Sequence, residues 1–222
     1  MKSRDPIVDD ATKEARILRA AMDIFVEKGW SGARTQEIAD RAGINKALLH
    51  YYFRSKENIY DKIIEKVFTT FFTALDEALK DDKPFEEVIR QFIYTVVDTI
   101  DANPNIPRFI MHELSQGGKN AKGILTRVVG RSGVSLPQRM VMLISRELAA
   151  ERIQPVNPPQ LILTILGSCI YYFVTEPVVE AILSHVQPDT PYERRQFIAE
   201  RKESIFNVIY YGLKKREGCF DE

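Results

Sequence analysis

Residues 35–56 read TQEIADRAGINKALLHYYFRSK, a pattern that predicts two short helices with a tight turn between them. Thr35 is a residue type that caps helix N-termini, and the acidic residues in the following turns suit the helix dipole. Gly43 supplies the positive φ that ends this first helix, and Asn45 caps a second one over 46–53. Two short helices joined by a glycine-containing turn form a helix-turn-helix.

The second of these helices has an unusual outer face. Leu49 and Phe53 are spaced i, i+4, and we expect both to face inward. Lys46, His50 and Tyr51 then lie on the outer side or beside it. A row of cationic, aromatic and small side chains on an exposed helix suits the DNA major groove. Periodicity leaves one alternative open, an ordinary surface helix with a half-buried aromatic pair.

The segment resembles the DNA-binding signature of the TetR family of bacterial transcriptional regulators. Three blocks carry this resemblance, and they follow one another without a gap. They are Ala21-Met22-Asp23-Ile24-Phe25 with Lys28-Gly29-Trp30, the 35–43 helix, and 46–53 with Ser55-Lys56-Glu57. The resemblance implies two domains: a helix-turn-helix DNA-binding domain over 1–55, and an effector-binding and dimerisation domain over 56–222.

Residue by residue, the resemblance also implies a set of DNA contacts. The expected contacts are Lys46, Ala47, Tyr51 and Tyr52 on DNA, with Thr35 and Lys56 on phosphates. The chain departs from the family at Leu48, where similar proteins commonly carry Thr, and at His50, where they often carry Tyr. A hydroxyl contact from position 48 is therefore absent, and the family's operator sequences do not transfer to this chain.

The composition is that of a globular protein, with 222 residues of which 45% are hydrophobic and 28% are charged. The 31 basic and 31 acidic residues give a net charge of zero, which argues against an indiscriminate polyanion binder. Residues 1–56 hold 11 Lys and Arg against 8 Asp and Glu, a weak basic bias at the end where DNA is expected. A polar arm over 1–10 precedes the first helix.

The cysteine content and hydropathy point to a cytoplasmic protein. Cys169 and Cys219 lie far apart without metal-ligand spacing, so we expect neither a disulfide nor a metal site, and no cofactor. No signal peptide opens the chain. The most apolar run, 161–174, is too short and too interrupted by polar residues for a membrane span, so no membrane partner is expected.

Apolar residues recur at helical spacing along the whole chain, and no segment reads as a convincing strand, so we predict an all-α fold of about nine helices. The expected helices cover 11–28, 35–43, 46–53, 56–80, 85–102, 107–116, 136–151, 160–175 with a second piece to 185, and 192–217. Residues 119–129 are also helix-like. The helix over 56–80, capped by Ser55, is long enough to connect the helix-turn-helix mechanically to the C-terminal part.

The helix over 160–175 is apolar nearly all round, so it must be buried on all sides. The last helix carries a second apolar stripe. Packing within the chain and an isologous dimer both satisfy these patterns. In the family that the chain resembles, the last two helices of each subunit pair into a four-helix bundle, which implies a homodimer. The expected interface residues are Ile165, Cys169, Phe173, Ile205 and Ile209.

The resemblance further implies a small-molecule effector cavity among the middle helices, and a filled core is the alternative. The candidate lining residues are Phe68, Phe72, Phe92, Phe109, His112 and Met140.

The function that we expect is a ligand-responsive transcriptional repressor that binds a palindromic operator as a homodimer. Two alternatives remain: a helical interaction module without DNA binding, and a small-molecule enzyme. The enzyme is disfavoured because the three histidines share no metal spacing, and because the chain has neither a Gly-rich phosphate loop nor a nucleophile elbow.

Overall fold

The structure is a computed structural model that describes residues 12–78, 83–115, 117–118, 121–124, 126, 136–186 and 191–215. Its helices are α1 (Lys13–Gly32), α2 (Thr35–Arg41), α3 (Lys46–Tyr52), α4 (Lys56–Ala78), α5 (Phe85–Asp101), α6 (Asn105–Ser115), α7 (Leu136–Ala149), α8 (Pro158–Val186) and α9 (Arg194–Leu213). In these residues the only β pairing is an isolated bridge between Ile153 and Lys214. The predicted all-α fold is confirmed.

The local signals in the first four helices are mostly those read from the sequence. Asn45 Oδ1 accepts a hydrogen bond from the Leu48 N–H at 2.8 Å, and Ser55 Oγ accepts one from the Asn58 N–H at 3.2 Å. Both predicted caps are therefore confirmed. Thr35 differs: it is the first residue of α2, and Arg34 occupies the N-cap position without a side-chain hydrogen bond. The N-cap prediction for Thr35 is wrong, because the chain enters α2 one residue earlier.

The first helix, expected over 11–28, is interrupted directly after that range at Gly29. Gly29 has φ 68° and ψ 177°, so regular helix stops there, and one further turn to Gly32 follows the kink. The Trp30 N–H that follows the kink donates to His112 Nε2 at 3.2 Å. A Cβ on Gly29 would lie 2.8 Å from the same imidazole ring. Glycine is thus required both for its backbone conformation and for the space that the ring occupies.

Helix α8 is one continuous helix where the sequence predicted two pieces, 160–175 and a second piece to 185. It runs 29 residues without a break at Pro177, although proline removes one helical hydrogen bond. In the turn before the proline, Thr175 Oγ1 donates to the Tyr171 carbonyl at 2.9 Å. Among the described residues it is the one helix whose length and composition would suffice to cross a membrane.

The chain consists of two compact units. The first comprises the described residues of Met1–Thr73 and Ile100–Gly133, and the second comprises those of Ala74–Thr99 and Val134–Glu222. The domain boundary expected after residue 55 lies inside the first unit. The first unit extends beyond residue 55 because its core includes residues of α4 and α6. Apolar side chains of α1, α2 and α3 are buried together with Ile59, Tyr60 and Ile63 of α4 and Phe109 of α6.

Four aromatic rings form the centre of the first unit. Trp30 stacks on Phe25 with centroids 5.7 Å apart, and Tyr60 meets Phe25 edge-on at 5.0 Å. The Tyr60 and Phe109 centroids are also 5.0 Å apart. The buried Tyr60 hydroxyl donates to Glu113 Oε2 at 2.7 Å, and Glu113 Oε1 accepts from the Ala121 N–H at 3.0 Å. Burial first, and then the Glu113 carboxylate, raise the pKa of Tyr60, so its hydroxyl stays protonated and available as the donor.

In the second unit, polar contacts join α9 to α8 and α5. Arg201 Nη2 donates to the Ser168 carbonyl at 2.7 Å, and Arg194 pairs with Glu176. The Lys202 ammonium lies 2.8 Å from Asp98 of α5. On the inner side of α8, burial raises the pKa of Cys169 to about 12, so its thiol stays protonated and unreactive.

The remaining predicted helices agree with the structure to within a few residues at each end. The arm over 1–10 and Cys219 lie outside the described residues, as does most of 119–129, of which 121–124 are helical.

The kink at Gly29 gives the first testable prediction. Gly29→Ala should lower the free energy of unfolding by about 2–3 kcal/mol, because a Cβ adds both a strained positive φ and a collision with His112. Urea unfolding followed by the fluorescence of Trp30, the single tryptophan, measures this value.

Gly117→Ala is the matched control, because Gly117 has φ 89° and nothing within 4 Å of a built Cβ. It should cost about 1–2 kcal/mol, the penalty of the backbone conformation alone. Equal losses in the two variants would show that the His112 ring imposes no constraint at Gly29.

Candidate nucleic-acid interface

The turn between α2 and α3 is held from α1. Arg16 Nη2 donates to the carbonyl of Ala42, the last residue before the turn, at 2.6 Å. Gly43 follows with φ 66°, and a Cβ there would lie 2.9 Å from the same guanidinium nitrogen. A cation at the C-terminus of α2 satisfies a carbonyl that the helix leaves without a partner. Arg16 and Gly43 together fix the direction in which the chain enters α3.

Two surface ion pairs connect α2 to the end of α1. Arg41 makes two hydrogen bonds to the carboxylate of Glu27, at 2.6 and 2.9 Å. Lys28 lies 2.9 Å from Glu37. The hydrogen bond from Arg41 lowers the pKa of Glu27, and the hydrogen bond from Lys28 lowers the pKa of Glu37. Exposed pairs of this kind contribute little stability, so their main effect is on orientation.

Helix α3 divides cleanly into an inner and an outer face. Leu49 is fully buried, and Phe53, directly after the helix, is 6% exposed. Lys46 and Ala47 are exposed, and Tyr51 is 81% exposed. Tyr52 is 39% exposed, and its ring meets that of Tyr51 edge-on with centroids 5.6 Å apart. Two aromatic rings, a lysine and a small residue therefore lie open on one short, firmly held helix.

His50 is exposed on α3 and has a defined local partner. Its Nδ1 lies 3.3 Å from the carbonyl of Arg54. Because a carbonyl only accepts hydrogen bonds, this contact requires the proton on Nδ1 and leaves Nε2 as an acceptor in the neutral ring. At Leu48, which is half-buried, the side chain offers no polar group.

The two residues expected on phosphates are placed differently from the rest. Thr35 is half-buried in the first turn of α2. Lys56 Nζ donates to the carbonyls of Trp30 and Ala33, at 2.8 and 3.1 Å. The exposed face of α3 thus brings together Lys46, Ala47, Tyr51 and Tyr52, and Lys56 is engaged with the protein itself.

The six effector candidates fall in both units. In the first, Phe109 is fully buried in the aromatic core, and Phe68 and Phe72 are half-buried with stacked rings 6.2 Å apart. His112 borders a cleft of about 180 Å³ that Gly29, Trp30 and Tyr60 also line. In the second, Phe92 and Met140 are buried, with 2% and 1% of their surfaces exposed. Phe109 and His112 therefore support the α1 end of the first unit.

The five residues expected at a dimer interface are all covered within the chain. Ile165, Cys169, Phe173, Ile205 and Ile209 are each at most 9% exposed. Residues on these helices that remain exposed are Leu163, Tyr171, Val178, Ile182 and Val186 on α8, and Val208 and Tyr211 on α9. Helical periodicity identified the apolar stripes but not the side of each helix that the chain covers itself.

The buried core of the first unit also contains an acidic residue, Glu113. Glu113 is 3% exposed and accepts hydrogen bonds from Tyr60 and Ala121. The sequence position indicates this burial, because Glu113 lies four residues after Phe109 on the same inner face of α6. An acidic residue at an inner helical position implies a buried donor nearby.

The amino-acid sequence is similar to those of known bacterial regulators. Residues 17–63 match the family model described as bacterial regulatory proteins, tetR family. The transcriptional regulator RutR of Escherichia coli K12 is 26% identical over 206 residues, which cover 93% of this chain and 92% of RutR. The transcriptional repressor NicS of Pseudomonas putida is 26% identical over 113 residues, 51% of this chain and 53% of NicS.

A solved structure shows the same fold along nearly the whole chain. The ketosteroid transcriptional regulator KstR2 of Mycobacterium tuberculosis superposes with a TM-score of 0.70 at 14% identity, over 94% of this chain and 98% of KstR2. The matched segment, 17–63, contains α2, α3 and the core residues that hold them. Residues 17–63 therefore form a domain of the tetR family of bacterial regulatory proteins, and the chain as a whole is similar to helix-turn-helix transcriptional regulators.

Proposed function

We propose that this regulator is a ligand-responsive repressor that binds a palindromic operator as a homodimer. The observation that carries the proposal is the outer face of α3, where Lys46, Ala47, Tyr51 and Tyr52 are exposed. The inner face is fixed by Leu49 and the turn by Gly43. Side chains that read base edges must be held by a rigid scaffold, and α3 has one.

Each exposed side chain on α3 has a role in this proposal. Lys46, at the start of the helix, contacts a phosphate or a guanine edge. Tyr51 and Tyr52 supply hydroxyl donors and flat apolar rings for contacts to phosphates and thymine methyl groups. Ala47 allows the backbone of α3 to approach the groove closely. His50, with Nε2 as an acceptor, adds a group that pairs with an exocyclic amine of a base.

A dimer follows from the size of the reading element. Helix α3 has seven residues, so one copy reads only a few base pairs. Two copies related by a two-fold axis read two half-sites on one side of the duplex, about 34 Å or a multiple of it apart. A palindromic operator is the DNA counterpart of that symmetry.

We place the dimer interface on the exposed apolar stripe of α8 and α9. Only 22% of the most apolar 18-residue window of α8 is buried within the chain, so a large apolar surface needs a cover. The exposed residues of α8 follow one another at intervals of eight, seven, four and four residues, so they share one broad face. Gly167 and Gly212 have nothing within 4 Å of a built Cβ and permit close approach of helices. In a symmetric dimer, this stripe on one subunit packs against the same stripe on the other.

The proposed switch acts through α6, because α6 belongs to the core of the DNA-binding unit. Asn105 Nδ2 donates to Asp23 Oδ1 of α1 at 2.8 Å. His112 accepts from the Trp30 N–H, and Glu113 from the Tyr60 hydroxyl. An effector that prefers one position of α6 biases the position of the reading helices by its differential affinity. We propose the half-buried rings of Phe68 and Phe72 as effector contacts in this unit.

Repression, rather than activation or catalysis, is the output that we propose. The similar NicS is named a repressor. A dimer seated on an operator blocks a promoter by occupancy, which requires no further partner. A regulator of transcription acts where the DNA is, so we place the protein in the cytoplasm and assign it no enzymatic activity.

Selection of DNA from a random-sequence pool by the full-length protein tests DNA recognition. The expected product is a pseudo-palindrome bound with an affinity that falls steeply with salt. Tyr51→Ala should weaken binding to that operator by about tenfold or more and leave folding unchanged, since the ring is exposed. Fluorescence anisotropy on labelled operator measures both affinity and salt slope.

Lys46→Ala should lower the slope of log K against log salt by about 1. Lys122, an exposed lysine of the same unit outside the helix-turn-helix, provides the charge-matched control, and Lys122→Ala should keep the wild-type slope. Wild-type binding in both Tyr51→Ala and Lys46→Ala would exclude α3 as the reading element.

A dimer through the exposed stripe predicts that Val208→Glu yields monomers. The residue is 73% exposed in the single chain, so the charge does not harm the fold but is costly in an apolar interface. Light scattering coupled to size exclusion reads the mass directly. Leu114→Glu, on an exposed α6 residue, is the control and should stay dimeric. A dimeric Val208→Glu variant would move the interface elsewhere.

An effector should reveal itself by linked stability and DNA affinity. In a thermal-shift screen of small apolar and aromatic compounds, a ligand at 100 times its Kd stabilises the fold by about 2.7 kcal/mol, a Tm increase of about 5–10 °C. The same ligand should weaken operator binding, and it should still stabilise Tyr51→Ala. A ligand that stabilises the protein but leaves operator affinity unchanged is not its effector.

A further inference from the structure

Lys56 occupies a position that its own helix does not favour. It lies in the first turn of α4, where the helix dipole attracts anions and disfavours cations. The neighbouring Glu57 fits that rule and Lys56 does not. A half-buried cation at a helix N-terminus needs compensation from some other part of the molecule.

The compensation comes from the C-terminal end of α1. Lys56 Nζ donates to the carbonyl oxygen of Trp30 at 2.8 Å and to that of Ala33 at 3.1 Å. The same nitrogen lies 4.5 Å from the centroid of the Trp30 ring. An ammonium has three N–H bonds. Two of them are used by carbonyls, and the aromatic ring makes a cation–π contact with the charge.

These carbonyls are ones that α1 cannot satisfy by itself. The last carbonyls of a helix have no partner within it, and a cation beside them is favourable. The last turn of α1 contains no basic residue. Lys56 therefore supplies, from 23 and 26 residues further along the chain, the cation that the end of α1 lacks.

The contact joins the two ends of the helix-turn-helix. Ala33 lies just before α2, and Lys56 lies just after α3. Trp30 is fixed on its other side, because its N–H donates to His112 and its ring packs on Phe25. A bond between the entry of α2 and the exit of α3 restricts the rotation of both helices against α1.

We infer that Lys56 is a positioning residue of the DNA-reading helices and not a phosphate ligand. This inference rests on the proposed DNA binding. It replaces the expectation, carried by family resemblance, that Lys56 contacts a phosphate. The two roles differ in measurable ways, because a phosphate ligand acts on every DNA sequence and changes the salt dependence of binding. A positioning residue acts on specific recognition and on stability.

The test compares Lys56→Met with wild type in three measurements: affinity for the selected operator, affinity for an unrelated duplex of equal length, and Tm. Operator affinity should fall about tenfold or more, while affinity for the unrelated duplex changes less than about twofold and the salt slope is unchanged. The Tm should fall by about 3–6 °C, since charge-assisted hydrogen bonds are lost.

Lys56→Arg separates charge from geometry. A guanidinium keeps the charge and contacts phosphates well, but its planar fork does not reproduce the two carbonyl contacts and the ring contact of one nitrogen. Operator affinity should therefore fall in this variant as well. Lys46→Ala, an exposed lysine on α3, provides the reference for a lysine that acts on DNA directly. Where Lys56→Met fails to fold, Lys56→Gln is measured in the same way.

The opposite pattern would overturn the inference. That pattern is an equal loss on both duplexes, a salt slope lower by about 1, an unchanged Tm and full rescue by Lys56→Arg. If wild type binds neither duplex, the proposed DNA binding fails first. The Tm comparison then decides the role of Lys56 alone: a lowered Tm supports the contact with α1, and an unchanged Tm refutes it.

Discussion

The packing of four aromatic rings, those of Phe25, Trp30, Tyr60 and Phe109, is the constraint on which the DNA-binding unit depends. Three helices contribute to it, α1, α4 and α6, and none of them is α2 or α3. Helices α2 and α3 are too short to be stable alone, so packing against this core fixes their positions. Burial of large rings supplies most of the stability, and the hydrogen bond from Tyr60 to Glu113 gives the core one defined arrangement.

This arrangement explains how a regulator keeps a reading surface rigid and still adjustable. Polar contacts fix the edges of the helix-turn-helix: Arg16 on the Ala42 carbonyl, and Lys56 on the carbonyls of Trp30 and Ala33. Beneath it, α6 contributes Phe109 to the core and His112 to the backbone of the α1 kink. In the proposed switch, α6 acts on the end of α1 through these contacts. Side chains on the outer face of α3 need not change for DNA affinity to change.

Local chemistry was predictable from the sequence where a residue type has one physical use. Asn45 and Ser55 cap helices, and Gly43 adopts a positive φ, as their positions indicated. Tertiary pairing was not predictable in this way. Periodicity gave the apolar stripes of α8 and α9 but not which side the chain covers, so Ile165 was assigned to an interface although Leu163 is the exposed residue. Contacts across long sequence separations, such as Lys56 with Trp30, leave no periodic signal.

We infer from this packing that α2, α3 and α6 fold as one cooperative unit around the aromatic core. Native-state hydrogen exchange tests it most directly, because it measures the opening free energy of each amide. Protected amides in α2, the C-terminal turn of α3 and α6 should share a single opening free energy and the same dependence on denaturant. Exchange of the α6 amides through an independent opening of lower free energy, with α2 and α3 still protected, would contradict the account.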